Sequence, residues 1–137
     1  MSSAAPLARK LEATIPAQGT ANAAQDQVVG EAPFAGVVTG VSIVPEAALT
    51  AHATNYRTFR LVNKGAAGSG TTVVASFATD TVTTDDLAAF DEKAIPLSGT
   101  AANLVVAEGD ILVADETVAA SGVAHSGYKI QVEISRS

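Results

Sequence analysis

The chain has 137 residues, of which 47% are hydrophobic and 4% aromatic, and this length suits a single domain with its own core. No cysteine is present, which excludes disulfides and thiolate metal sites. Eight basic against fourteen acidic residues give a net charge of −6, and this balance argues against nucleic acid as a partner, because phosphate binding needs clustered Lys and Arg.

Residues 1–33 are predicted to form an N-terminal arm. Leu7, Leu11 and Ile15 recur every fourth residue, a spacing that places them on one face of a short helix between two prolines. A helix of about ten residues is marginal alone, so these three side chains are the predicted partner-binding residues. Residues 13–27 are rich in Ala, Gln, Thr and Asn and are expected to be extended or mobile. A frayed tail is the alternative interpretation.

The first sixteen residues lack the apolar stretch of a signal peptide, since charged residues occupy the positions where it would lie. No apolar run approaches the roughly 20 residues needed to span a bilayer. The sequence therefore predicts a soluble protein without a membrane partner.

Residues 34–137 are predicted to form a β-sandwich domain. The final strand has the clearest pattern, because Tyr128, Ile130, Val132 and Ile134 alternate with polar residues, as in a half-buried antiparallel strand. Turn residues separate the runs, and no crossover helix is visible, so the fold class is all-β and antiparallel. Strands are predicted at 34–44, 56–63, 71–78, 93–97, 103–106, 110–114 and 128–135.

The segment 80–92 is the most acidic part of the chain and could include one helical turn capped by Thr84. Its carboxylates could bind calcium, but their spacing does not match a known calcium loop, and a solvated loop is the simpler interpretation. The segment could also face a basic patch on a partner. The carboxylates are Asp80, Asp85, Asp86, Asp91 and Glu92.

The remaining candidates for chemistry are weak. The glycine-rich run at 65–70 lacks the Lys and the following helix of a phosphate loop, which favours a flexible connection between strands. His52 and His125 lie 73 positions apart without metal-ligand spacing, so both are expected to be loop histidines. Arg57 is expected to share a strand face with the apolar residues that follow it, whereas Arg60 lies on the opposite face. No catalytic, metal or cofactor site is predicted.

Four segments resemble small structural proteins of tailed bacteriophages. They are TNYRTFRLVNKG at 54–65, TTVVAS at 71–76, FDEKAIPL at 90–97 and VAEGDIL at 106–112. Together the similar pieces cover most of residues 34–135.

The resemblance implies a capsid decoration (cement) or head-fibre protein with a compact, often jelly-roll-like β domain. Such a protein is expected to form a homotrimer on the outer capsid surface and to bridge subunits of the major capsid protein. It implies a non-enzymatic protein without a cofactor, assembled in the host cytoplasm and located in the virion. Residues 1–33 lie outside the resemblance and are expected to contact neighbouring subunits or the capsid.

Two other functions stay open. One is a receptor- or glycan-binding head domain of a virion fibre, for which Tyr56, Arg57 and Arg60 are the available side chains. The other is an enzyme such as a cupin-like metal oxygenase, which would share the sandwich architecture but needs a histidine cluster that this sequence lacks.

Overall fold

The computed structural model describes residues 7–137. Their regular structure consists of short strands and one turn of 3₁₀ helix over Ala101–Leu104. The strands are β1 (Ala8–Ile15), β2 (Gln25–Glu31), β3 (Gly36–Pro45), β4 (Arg57–Asn63), β5 (Thr72–Ala78), β6 (Lys93–Ala94), β7 (Val105–Val106), β8 (Ile111–Val118) and β9 (Tyr128–Arg136).

The strands form two antiparallel sheets packed face to face, so the predicted all-β sandwich is confirmed. One sheet has the order β1-β9-β3-β6, with β7 also paired to β3, and the other has the order β2-β8-β4-β5. A single apolar core lies between the sheets and receives side chains from both of them.

Strand β9 is central to the first sheet because it pairs with β1 on one side and β3 on the other. Tyr128, Ile130, Val132 and Ile134 are each at most 3% exposed, as the alternation in the sequence predicts. Gly36 of β3 lies so close to this strand that an added Cβ would come within 2.1 Å of the Ser135 carbonyl oxygen. Glycine is therefore required where β3 begins.

The helix predicted around Leu7, Leu11 and Ile15 is wrong, because residues 8–15 form β1 and pair along their length with β9. A spacing of four residues repeats on one face of a strand as well as of a helix, so Leu11 and Ile15 both face inward. Ala13, between them, also packs against the core, and the alternation 11, 13, 15 is the period of a strand. The predicted arm is not confirmed, since its described part enters both sheets.

The sequence does not predict strand β2, because QDQVVGE is polar and resembles a loop in composition. It pairs with β8, and a register shift between Val28 and Gly30 turns Val29 toward the core while Val28 stays exposed. Other sequence expectations also differ in detail. Residues 101–104 form a 3₁₀ turn where the start of a strand was expected, and the segment around Thr84 forms turns without a helix.

Candidate functional site

A cluster of charged and aromatic side chains occupies one end of the sandwich. Two connections cross between the sheets there: residues 16–24, which join β1 to β2, and residues 119–127, which join β8 to β9. The connections hold each other through paired backbone hydrogen bonds between Gln18 and His125, at 3.0 and 3.1 Å. Strand β4 begins beneath them.

Arg57, the first residue of β4, is fully buried and holds the first connection in place. Its guanidinium donates hydrogen bonds to the carbonyl oxygens of Ala21 at 3.1 Å and Ala23 at 2.7 Å. Its Nε donates to the carbonyl oxygen of Val123 at 2.9 Å, in the second connection. One side chain thus fixes both crossovers, because a guanidinium presents several donors in a rigid plane.

Glu116 of β8 supplies the opposite charge and is also fully buried. Its Oε1 lies 3.2 Å from Arg57 Nη1 and 2.7 Å from His125 Nε2, while its Oε2 accepts hydrogen bonds from Gln25 Nε2 at 3.0 Å and from the Tyr128 hydroxyl at 2.9 Å. Each carboxylate oxygen of Glu116 therefore has two partners.

The pKa values of the cluster follow from these contacts. Burial raises the pKa of Glu116, but the hydrogen bonds from His125, Gln25 and Tyr128 outweigh it and hold the value below the ordinary range. Burial, together with the negative charge of Glu116, raises the pKa of Tyr128 far above its ordinary value. Glu116 is therefore ionised and the Tyr128 phenol is protonated at neutral pH.

The orientation of His125 is fixed from both sides. Its Nδ1 accepts the backbone N–H of Gly127 at 3.0 Å, so the ring hydrogen belongs on Nε2, which donates to Glu116. Phe59 packs edge-on against both rings, with centroid distances of 5.8 Å to His125 and 5.2 Å to Tyr128. The aromatic ring thereby covers the cluster on its core side.

Carboxylate, imidazole and phenol are the groups that many active sites use for proton transfer. Here each of them is engaged by a neighbour inside the same fold. The chemistry that the arrangement supports best is structural, because a buried ion pair with every partner in place fixes one geometry for the chain around it.

The predicted partner-binding residues have different surroundings. Ile15 is 1% exposed and Leu11 packs against the core, so both stabilise the sandwich itself. Leu7 is 76% exposed and is the most accessible of the three, since Leu11 is partly buried. A partner-binding role for Leu7 stays a prediction.

The candidate basic residues are largely occupied within the chain. Arg57 shares its strand face with Phe59 and Leu61, as predicted, and is inaccessible to a glycan or phosphate. Arg60, on the opposite face, binds Asp115 through Nε at 2.6 Å. Asp115 also faces Asp26 of β2, and their shared hydrogen bond, partial burial and like charge raise the pKa of Asp26.

His52 and the acidic loop have local partners. Nδ1 of His52 accepts the backbone N–H groups of Thr54 and Asn55 at 3.0 and 2.8 Å, which makes it the cap of a turn. Asp85 accepts hydrogen bonds from the backbone N–H of Thr81 and from the side-chain hydroxyl of Thr84. Within residues 7–137, no group of three or more His, Cys, Asp or Glu side chains is arranged to hold a metal ion. The same residues contain no helix long and apolar enough to cross a membrane.

A groove of about 320 Å³ lies on the outer face of the first sheet. Gly40 leaves room in it, because no atom lies within 4 Å of the place where a Cβ would be. Ser42 Oγ donates to Glu92 Oε2 at 2.7 Å and so fixes one of its walls. The polar side chains that line the groove are Lys10, Ser42, Glu92, Gln131 and Glu133.

No protein-family model, no curated protein and no solved structure matches this chain. The buried cluster is not among the sites predicted from the sequence, although the sequence contains a signal for it. Arg57 and Glu116 each lie two residues from an inward-facing apolar residue, Phe59 and Ala114, on strands with period-two alternation. Two opposite charges that both point inward indicate a buried ion pair.

Proposed function

We propose that this chain is a structural virion protein that binds the outer surface of a bacteriophage capsid. In this role it bridges subunits of the major capsid protein, acts as a homotrimer and carries out no catalysis. Each bound copy stabilises the shell, because binding to the assembled state shifts the equilibrium away from dissociation. Repetition over the surface adds avidity.

The structural observation that supports the proposal is the nested order of the strands. With the two short strands β6 and β7 counted as one, the chain pairs β1 with β9, β2 with β8, β3 with β6/β7, and β4 with β5. Alternate pairs belong to alternate sheets. This nesting supports a jelly roll, an architecture found in viral capsid and lectin domains and in cupins.

The jelly-roll architecture alone does not show which of these functions the chain has, because one fold can carry many functions. The choice of a virion protein rests on the resemblance of residues 54–65, 71–76, 90–97 and 106–112 to phage structural proteins. The buried cluster agrees with it, because Arg57 and Glu116 are used to close one end of the sandwich. A scaffold on a capsid needs such rigidity more than it needs an open interior.

The direct experiment is to add purified protein to undecorated shells made from the major capsid protein of the same phage. We expect saturable binding and a higher temperature of shell disruption by calorimetry. Sedimentation of the free protein should give the mass of a trimer. Shells that neither bind the protein nor gain heat resistance would contradict the proposal.

A glycan-binding head domain is the second candidate, and the groove on the first sheet favours it. The groove is lined by neutral and charged polar side chains from three strands and from the β5–β6 connection, and the absence of a side chain at Gly40 leaves space at its base. Such a lining suits a hydroxylated ligand such as a sugar. On a glycan array, this function predicts saturable binding that is lost in a Gln131→Ala variant and kept in a Thr58→Ala variant on the other sheet.

A further inference from the structure

Phe90 is the most exposed large apolar side chain of the acidic loop, at 78% exposure. Its backbone is left-handed, with φ +62°, a conformation that residues with a bulky side chain rarely adopt. The backbone N–H of Phe90 nevertheless donates to the carbonyl oxygen of Pro45 at 2.8 Å. An aromatic ring is therefore held in solvent by a backbone that costs free energy to maintain.

The base of the loop is fixed to the domain. Leu87 is buried, and its backbone forms two hydrogen bonds of 2.9 Å with Leu49. The carboxylate of Asp86 accepts the N–H of Ala51 at 2.7 Å, and Glu92 is bound by Ser42. The ring of Phe90 is thus presented on an ordered support, and its binding to a partner requires little further ordering.

The charge around the ring indicates which surface it fits. Residues 80–92 contain five carboxylates and no basic residue, so an anionic membrane surface would repel the loop. A second copy of the chain is also a poor complement, because five of its eight basic side chains are engaged internally. These five are Arg57 with Glu116, Arg60 with Asp115, Lys129 with Glu12, Lys93 over Phe77 and Arg136 over Phe34.

We propose that loop 80–92 is the docking element of this protein, with Phe90 inserted into an apolar pocket rimmed by Lys and Arg on the major capsid protein. The identity of the partner rests on the proposed function. The aromatic ring supplies the buried contact, whereas the surrounding carboxylates set the orientation and the rate of encounter.

The test compares variants of the full chain for binding to undecorated shells. Phe90→Asn removes the ring but keeps a residue that tolerates the left-handed backbone, so its thermal midpoint should match the parent. Its affinity should fall by about tenfold or more. Phe90→Tyr keeps the ring and should bind within about threefold of the parent.

Val105→Ser is the matched control. Val105 is also an exposed apolar residue, at 57% exposure, but it pairs with Val37 near the start of β3. Phe90 is instead hydrogen-bonded to Pro45, at the opposite end of β3. This control should bind like the parent, and raising the salt concentration should weaken parental binding several-fold. Parental affinity in Phe90→Asn would overturn the docking proposal while leaving the proposed function intact. A parent that fails to bind shells would overturn both.

Discussion

Replacing Arg57 by Met tests whether the buried cluster holds the two crossovers together. The variant keeps a long apolar stem but removes all the donors of the guanidinium. Arg57 makes five side-chain hydrogen bonds: four reach carbonyl oxygens in the connections that cross between the sheets, and one reaches Glu116. After the change, the Glu116 carboxylate stays buried without its cation.

The expected cost is large for a single substitution. Removing one partner of a buried ion pair destabilises a protein by about 3–5 kcal/mol, because the remaining charge is neither paired nor hydrated. For a domain of this size, each kcal/mol lowers the melting temperature by roughly 3–5 °C. The Arg57→Met variant should therefore melt about 10–25 °C below the parent.

Urea unfolding of the parent, Arg57→Met, Glu116→Gln and the double variant gives the coupling between the two residues. Neutralising Glu116 removes the unpaired charge, so the double variant should be more stable than the sum of the single losses implies, by about 1–3 kcal/mol. An Arg57→Met variant that loses less than about 1 kcal/mol, or strictly additive losses, would refute this account of the cluster.

Three further predictions concern stability. The difference in free energy of unfolding between the parent and Glu116→Gln should be constant above about pH 4.5 and shrink at lower pH. The reason is that the folded-state pKa of Glu116 is depressed, so its contribution to stability is lost as the pH falls through that pKa. A difference that already shrinks near pH 7 would contradict this prediction. Gly36→Ala should lower the free energy of unfolding by about 1–3 kcal/mol, since its Cβ would clash with a backbone oxygen. Gly40→Ala should change it by no more than about 0.5 kcal/mol, because its Cβ would point into open space. Equal urea midpoints for the two variants would contradict this prediction. Asp26→Asn should raise the free energy of unfolding at pH 7 by a few tenths of a kcal/mol, roughly the cost of two like charges that face each other across neighbouring strands. A lower free energy of unfolding in urea would contradict the idea that Asp26 and Asp115 repel each other.

The strands that follow strict alternation could be predicted from the sequence. β9 is the clearest case, because Tyr128 to Ile134 place every second side chain in the core. The predicted starts of β4 and β5 also lie within one residue of the observed ones. In these segments the local pattern and the tertiary environment agree, which is the condition under which periodicity is informative.

The N-terminal strands could not be predicted in the same way. The spacing of Leu11 and Ile15 fits a helix and a strand equally well, and only pairing with β9 selects the strand. β2 has few apolar residues and lies at the edge of its sheet, where partners far along the chain decide its conformation. The cluster around Glu116 joins residues up to 91 positions apart in the chain. A single sequence gives no indication that residues so far apart are in contact.

Cryo-electron microscopy of shells mixed with the purified protein is the most direct measurement of the proposed function. We expect trimeric density on the outer surface at three-fold or quasi-three-fold positions, with the sandwich contacting more than one capsid subunit. Density confined to a fibre or the tail, or shells that stay bare at saturating protein concentration, would contradict it.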